Sequence, residues 1–228
     1  MENNKQMTGK ESLDIINEMI QKAKATYHDK GISALLWGTV VTIASSVSFC
    51  QMNFNFSIGF DIWLIVLFAI IPQIIFSIKE GKKIKVKKYE DETIDIVWMV
   101  YGISIFCLVF YQNIIPYSSS KIINNEGWEL TKHYFNNSTS DKVIKPFVPS
   151  VFSLYLILYA LPTLVTGVIK KFKPMIFGAI ICYAMFIISC FTESKYDMLC
   201  GATAAIFCWL IPGIILRKKY LQSKKQNV

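Results

Sequence analysis

The sequence predicts an all-α integral membrane protein, a six-helix bundle built as three helical hairpins and preceded by a cytoplasmic amphipathic helix. Three observations carry this prediction. The 228-residue chain is 53% hydrophobic and only 18% charged, with a mean hydropathy of +0.40, a composition that soluble domains rarely have. Its apolar residues form six long blocks, and its lysines gather at alternate ends of those blocks.

A polar segment, residues 1–30, precedes the first block and contains an amphipathic pattern. Thr8 and Glu11 have the spacing of a capping box, in which each side chain bonds a free backbone N–H. Apolar residues then recur at intervals of three and four, on one face of a helix. This face, called the seam, consists of Leu13, Ile16, Ile20, Ala23 and Tyr27. The helix is predicted to lie on the inner leaflet, pack beneath the bundle, or pair with another helix.

Each apolar block is long enough to cross a bilayer, because about 20 apolar residues cover the ~30 Å of hydrocarbon. Helices are predicted because backbone groups in lipid must bond within their own segment or within a closed barrel. Barrel strands alternate apolar and polar residues, and no block alternates. The predicted spans 1 to 6 cover residues 32–52, 58–78, 96–115, 149–169, 174–192 and 198–216, which together form a membrane domain of residues 31–216.

The basic residues predict the orientation of the spans. Nineteen of the 24 Lys and Arg residues lie before span 1, after span 6, or in the loops joining spans 2 to 3 and 4 to 5. Because Lys and Arg accumulate in short cytoplasmic loops, both termini are predicted to be cytoplasmic. Residues 217–228 then form a basic tail, and residues 116–147 form an external loop. Contact with anionic lipid headgroups accounts for the net charge of +8 without a nucleic-acid partner.

A repeated pattern is the basis for predicting three hairpins. Spans 1, 3 and 5 each carry an aromatic–glycine pair, and spans 2, 4 and 6 each carry a proline. The glycine-to-proline spacing is 34 residues in the first and third hairpins and 60 in the middle one, whose excess fits inside the external loop. The residues are Trp37-Gly38, Tyr101-Gly102 and Phe177-Gly178, with Pro72, Pro162 and Pro212. A fixed internal period is typical of a duplicated unit.

The three prolines are also the candidate functional or hinge positions, because proline removes a helical hydrogen bond and kinks the helix. Gln73 and Thr163 follow Pro72 and Pro162 directly, so they join the candidate set with Pro212. Their polar groups can satisfy freed backbone groups or bond across helices. A role in packing is the simpler interpretation of all five positions.

The carboxylates and cysteines of the sequence give no indication of a catalytic or metal-binding site. Asp61 and Asp95 are predicted at the ends of spans 2 and 3, at headgroup level, and no ionisable residue is predicted at mid-membrane depth. Cys190 and Cys200 have matching depth in the third hairpin, where either a disulfide or two free packing thiols fits, and free thiols are favoured. No catalytic motif or metal-ligand spacing is present, so no cofactor, metal or enzymatic activity is expected.

Six sequence segments, distributed along nearly the whole chain, form a recognisable set: MTGKESLDIINEMIQKAK, WGTVVTIASSV, FDIWLIVLFAIIPQIIFSIKE, YALPTLVTG, KFKPMIFGAIICY and WLIPGIILRKKY. They resemble an uncharacterised family of six-helix inner-membrane proteins of Bacteroidota. The resemblance implies a location in the bacterial inner membrane and adds no activity, cofactor or catalytic residue. The external loop between Pro116 and Phe147 resembles the family least.

Two functions remain as hypotheses. The first is a non-enzymatic sensor, scaffold or interaction protein, which would bind a cytoplasmic partner or a second copy through the seam. The alternative is a small transporter or channel subunit built from three hairpin repeats, motivated by the aligned prolines. Scarce polar groups within the spans favour the first hypothesis.

Overall fold

A computed structural model describes residues 30–82, 89–135, 140–146 and 151–226. The predicted amphipathic helix of residues 1–30 and its seam, Leu13, Ile16, Ile20, Ala23 and Tyr27, lie outside the described residues except for Lys30. The described helices are α1 (Ile32–Phe54), α2 (Leu64–Gly81), α3 (Tyr89–Asn125), α4 (Val151–Ile169), α5 (Lys173–Ser189), α6 (Ser194–Ala205) and α7 (Ile211–Gln226). A π-helical segment, Ile206–Leu210, joins α6 to α7 without a break.

The structure is mostly helical and has several helices that are long and apolar enough to cross a membrane, as the sequence predicts. Five helical stretches are long and apolar enough to span a bilayer, and α5 is a sixth apolar helix of 17 residues. At about 1.5 Å per residue, 17 residues reach about 26 Å, close to the thickness of the hydrocarbon. The stretches that qualify by length are Ile32–Phe54, Leu64–Gly81, Tyr89–Asn125, Phe152–Ile169 and Ser194–Lys225.

Several helices of the structure begin or end one to three turns away from the predicted span boundaries. The prediction for span 2 starts at residue 58, whereas α2 starts at Leu64 because Gly59 takes a left-handed φ of 85° in a loop. Span 3 was predicted as 96–115, whereas α3 runs from Tyr89 to Asn125. The basic tail predicted at 217–228 continues α7 as helix to Gln226.

The external loop predicted at 116–147 is helical in its first third. Proline at position 116 removes only one backbone hydrogen bond, and α3 continues past it to Asn125. In the turn after the proline, the Ser120 hydroxyl donates to the Pro116 carbonyl at 2.8 Å. Gly127, with φ 79°, stands just beyond the helix end. A two-stranded antiparallel ribbon follows, pairing Thr131–Lys132 with Lys142–Val143.

Four stretches form the core, and two helices lie at its edges. The core consists of α1, α4, α5 and the continuous α6–π–α7 stretch, with the most extensive packing between α4 and α5 and between α1 and α6. Among the described helices, α2 packs on α1 alone, and α3 packs its backbone along α4 alone. Only 6% of the apolar windows of α2 and α3 is buried, against 56% for α4.

This arrangement does not confirm three separate hairpins. Each predicted hairpin pair is in contact, but the two largest interfaces join helices of different predicted hairpins. The buried side chains therefore form one cluster across four stretches, made of Val41, Tyr155, Leu156, Tyr159, Ala160, Cys182, Cys200, Ala204, Ala205, Cys208 and Trp209.

Two of the three aromatic–glycine pairs explain the close packing. A Cβ at Gly38 would stand 2.5 Å from the Leu210 backbone nitrogen, and a Cβ at Gly178 would overlap the Phe207 carbonyl oxygen. The backbone of the π-helical segment therefore packs directly against both glycines. Gly102 differs, since a Cβ there would have nothing within 4 Å.

The helices alternate in direction, so the bundle has two chemically different ends. At the basic end, Lys30 pairs with Glu80 at 3.2 Å, and Lys170 pairs with Asp91 at 3.6 Å. At the opposite end, called the loop end, the rings of Trp63 and Phe152 are 5.8 Å apart. Four helix ends lie at the basic end: the start of α1, the end of α2, the start of α3 and the end of α4.

Candidate functional site

The candidate positions Pro162 and Thr163 lie at the centre of the core. Pro162 is fully buried in α4, and it has no N–H to give to the carbonyl one turn earlier. Thr163 is also fully buried; its hydroxyl donates to the Tyr159 carbonyl at 2.8 Å and accepts from the Trp209 indole N–H at 3.0 Å. The hydroxyl is therefore satisfied both as donor and as acceptor.

A second tryptophan repeats this contact one turn away. The Trp98 indole of α3 donates to the Thr166 hydroxyl at 3.1 Å. Buried indole N–H groups need an acceptor, and the two threonines of α4 supply one each. The Trp98 and Trp209 ring centroids are 6.4 Å apart. These four residues, Trp98, Thr163, Thr166 and Trp209, are called the Trp–Thr cluster.

A row of aromatic rings extends from this cluster toward the loop end. Tyr159 lies 4.8 Å from Trp209, Tyr155 lies 6.5 Å from Tyr159, and Phe152 lies 5.7 Å from Tyr155, measured between ring centroids. The Tyr155 hydroxyl donates to the Gln112 side-chain oxygen at 2.7 Å. Aromatic rings and paired polar groups therefore fill the space between α3, α4 and the π-helical segment.

The third buried candidate, Pro212, explains the π-helical segment. Pro212 has no N–H, and the residue before it, Ile211, bonds the Ile206 carbonyl five residues back. This wider turn is typical of π-helical insertions, which are found often at functional sites. The Phe207 carbonyl of the segment points at Gly178 of α5, and the Cys208 thiol donates to the Gly178 carbonyl at 3.4 Å.

The structure does not bring Pro72 and Gln73 to this centre. Both are half-buried on α2, an edge helix. The Gln73 amide nitrogen donates to the Ser33 hydroxyl of α1 at 3.2 Å and to the Ser77 hydroxyl at 3.3 Å. Its amide oxygen is buried without a hydrogen-bond partner among the described residues. Gln73 therefore attaches α2 to α1, and the five candidates fall into two separate places.

The two carboxylates considered from the sequence are both exposed. Asp61 is exposed just before α2, where its Oδ1 accepts from the Trp63 backbone N–H at 2.9 Å. Asp95 is exposed within the first two turns of α3. Neither carboxylate reaches the core.

Sequence reasoning missed a third carboxylate, Asp197. It lies in the first turn of α6 and is 1% exposed, so it is among the most buried side chains of the described chain. It escaped notice because it precedes the predicted span 6 by one residue, in the polar phrase TESKYD. The available signal was its helical spacing from the small residues Gly201, Ala204 and Cys208, all of which are buried.

The cysteines provide no crosslink. All six are free thiols, and Cys200 is buried whereas Cys190 is exposed, so the pair considered from sequence is not a disulfide. Among residues 30–82, 89–135, 140–146 and 151–226, no group of three or more His, Cys, Asp or Glu side chains has a geometry that could hold a metal ion.

Comparison with protein-family models, with curated proteins and with solved structures found no match for this chain. Its function is therefore argued from the packing and chemistry of its own residues.

Proposed function

We propose that this chain is a non-enzymatic protein of the bacterial inner membrane that acts as a sensor, scaffold or interaction protein. The observation that carries the proposal is the contrast between its core and its edges. The core is filled by aromatic rings and paired polar groups, whereas α2 and α3 leave most of their apolar surface uncovered. Such a molecule offers binding surfaces more readily than a reaction centre.

Within this proposal, both termini are cytoplasmic. Support comes from the basic end, where Lys30, Lys170 and Lys219 gather with the start of α1 and the end of α7. Basic side chains at a membrane surface attract anionic headgroups. The three-hairpin repeat is retained as a proposal about ancestry: Gly38 and Gly178 make equivalent close contacts, as duplicated elements would.

The seam of the N-terminal helix is the proposed contact with a cytoplasmic protein or with a second copy. It would begin at the basic end, because Gly31 packs against Gly213 and Leu216 there. Five apolar residues on one face of a helix are suited to a hydrophobic groove or to a paired helix.

Affinity capture of the gently solubilised protein tests the proposal. We compare the full chain with a chain lacking residues 8–28, and identify bound proteins by mass spectrometry. Ile16→Ser with Ile20→Ser alters the seam, and Glu18→Ala with Gln21→Ala is the matched control on the polar face. A partner lost with the deletion and the seam change, and kept with the control, supports the proposal. Equal capture by all four proteins contradicts it.

The second candidate function is a small transporter or channel subunit. Pro162 and Pro212 are both buried, Pro212 follows the π-helical segment closely, and the Gln73 amide oxygen is buried without a described partner. Broken helices form binding sites in some transporters. Flux in proteoliposomes that is lost on Pro72→Ala or Gln73→Ala would favour this function, and absence of flux across a broad substrate panel would count against it.

A further inference from the structure

The carboxylate of Asp197 is buried within the bundle and has no role in the proposed function. The Asp197 carboxylate is 1% exposed. Its Oδ1 accepts a hydrogen bond from the Thr192 hydroxyl at 3.0 Å, whereas its Oδ2 is buried and has no hydrogen-bond partner among the described residues. A buried carboxylate normally has several donors or a cation, so a single hydroxyl leaves this one poorly compensated.

Two contacts of residues near Asp197 show that this part of α6 packs on α1. Gly201 lies one turn after Asp197, and a Cβ built there would stand 3.4 Å from the Ser45 hydroxyl. Near the start of α6, the Tyr196 ring is 6.3 Å from the Phe49 ring. This antiparallel register puts Asp197 opposite the buried Ser48 of α1.

The interface around Asp197 offers few further polar partners. Ser45 is fully buried and its hydroxyl has no described hydrogen-bond partner. The ring of Phe152 of α4 packs against the Gly201 backbone.

No positive charge compensates Asp197 within the described chain. The nearest cation in sequence, Lys195, pairs with Glu193 at 3.0 Å and lies over the Tyr196 ring. No ion pair of the described residues includes Asp197. On the same helix, the buried Cys200 thiol follows Asp197 about one turn later.

The neighbouring helices add no charge at this level. On α1 the titratable group is the thiol of Cys50, and at the end of α5 it is the thiol of Cys190. On α4 the nearby side chains are Phe152 and Ser153, and the Ser153 hydroxyl accepts from Ser189 at 2.8 Å. The described side chains of these neighbouring helices are therefore neutral near the carboxylate, and an ionised form would stand in a poorly solvated site.

We propose that Asp197 is a reversible binding site for one proton, reached from the loop end, and that this proton controls how tightly α6 packs on α1. The proton comes from solvent at the loop end and returns there, so no other reactant is required. When the proton is bound to the carboxyl, the charge of Asp197 is neutralised.

Thr192 provides hydrogen bonds for both protonation states. With Asp197 ionised, the Thr192 hydroxyl donates to Oδ1 at 3.0 Å. With Asp197 protonated, the carboxyl O–H donates to the Thr192 oxygen, and the Thr192 proton turns to the Ser189 carbonyl, which lies 3.4 Å away. One hydroxyl has one proton, so the two recorded contacts of Thr192 are alternatives and correspond to the two states.

Infrared difference spectroscopy of the protein in lipid nanodiscs, between acidic and alkaline pH, tests the proton site directly. Among the carbonyl bands of the chain's 16 Asp and Glu carboxylic acids, we expect one that is lost in Asp197→Asn and kept in Asp61→Asn, the exposed control. Thr192→Val should shift this band, and Thr192→Ser should restore its position. An acid spectrum unchanged by Asp197→Asn would overturn the proposal.

Thermal unfolding against pH provides the second readout. If folding strengthens proton binding at Asp197, the folded state holds more protons, so stability is greatest at acidic pH and falls as pH rises. Asp197→Asn should lose this component and Asp61→Asn should keep it. Parallel curves for wild type and Asp197→Asn would contradict the proposal. So would stabilisation by sodium over choline chloride that disappears in Asp197→Asn, since the site would then hold a metal cation.

Discussion

The close contacts of Gly38 and Gly178 lead to the sharpest stability prediction. In Gly38→Ala, the new methyl carbon would stand 2.5 Å from the Leu210 nitrogen and 2.8 Å from the Leu210 Cα, whereas ordinary contacts lie at 3.4–4 Å. The opposing atoms belong to a helix backbone, which cannot rotate away as a side chain does. Helix α1 and the π-helical segment would have to separate by about 1 Å, which weakens many dispersion contacts at once.

The size of the effect follows from two opposing terms. Overpacking a filled core costs about 1–3 kcal/mol, and backbone atoms on the far side place this case at the upper limit. Replacing glycine by alanine within a helix stabilises the folded protein by about 1 kcal/mol, because alanine has the higher helix propensity. The net destabilisation is therefore about 2 kcal/mol for Gly38→Ala, and Gly178→Ala should be at least as severe because its methyl would overlap the Phe207 carbonyl.

Gly102→Ala is the matched control. It belongs to the third aromatic–glycine pair, yet a Cβ there meets nothing within 4 Å. Only the helix-propensity term applies, so stability should be unchanged or higher by up to about 1 kcal/mol.

Thermal unfolding of the three variants in one detergent, followed by circular dichroism, measures these differences. At about 2–4 °C per kcal/mol for a chain of this size, Gly38→Ala should melt about 4–8 °C below wild type. A melting temperature equal to that of wild type would refute the close approach of α1 to the π-helical segment. An equal loss for Gly102→Ala would show that another helix covers that glycine.

Two further predictions concern the core and the thiols. Trp209→Phe removes the donor to the buried Thr163 hydroxyl and should destabilise the folded protein by about 1–3 kcal/mol. The same unfolding assay measures this loss. As the control, Trp128→Phe at an exposed position should change stability by less than about 0.5 kcal/mol. A membrane-permeant maleimide should modify the exposed Cys190, which stands at the end of α5, in the native protein and modify the fully buried Cys182 only after unfolding. Modification of both thiols at equal rates would contradict the packed core.

The number and positions of the helices were predictable, because the hydrocarbon thickness imposes one length on every apolar segment. Their ends were less predictable. A helix continues beyond the lipid wherever no residue stops it, as α3 does through Pro116 to Asn125 and α7 does through the basic residues to Gln226. Hydropathy describes where the chain is apolar and carries no information about where a helix stops in water.

The candidate site was predictable in part. Proline and the hydroxyl beside it mark Pro162 and Thr163 as positions with freed backbone groups, and both lie at the centre of the core. The partner of that hydroxyl, Trp209, comes from a helix 46 residues away. Asp197 was missed because hydropathy treats a charged residue at a span end as exposed, whereas its burial depends on which side of α6 meets α1.

Sequence alone determined that this chain is a bundle of membrane helices with basic residues collected at one end, since both properties follow from local composition and the bilayer. Tertiary structure alone decided which helices form the core. Three aromatic–glycine pairs look equivalent in the sequence, yet Gly38 and Gly178 receive a backbone and Gly102 does not. The physical reason is that close packing depends on the rotation of each helix about its axis, which is set only when neighbouring helices compete for the same surface.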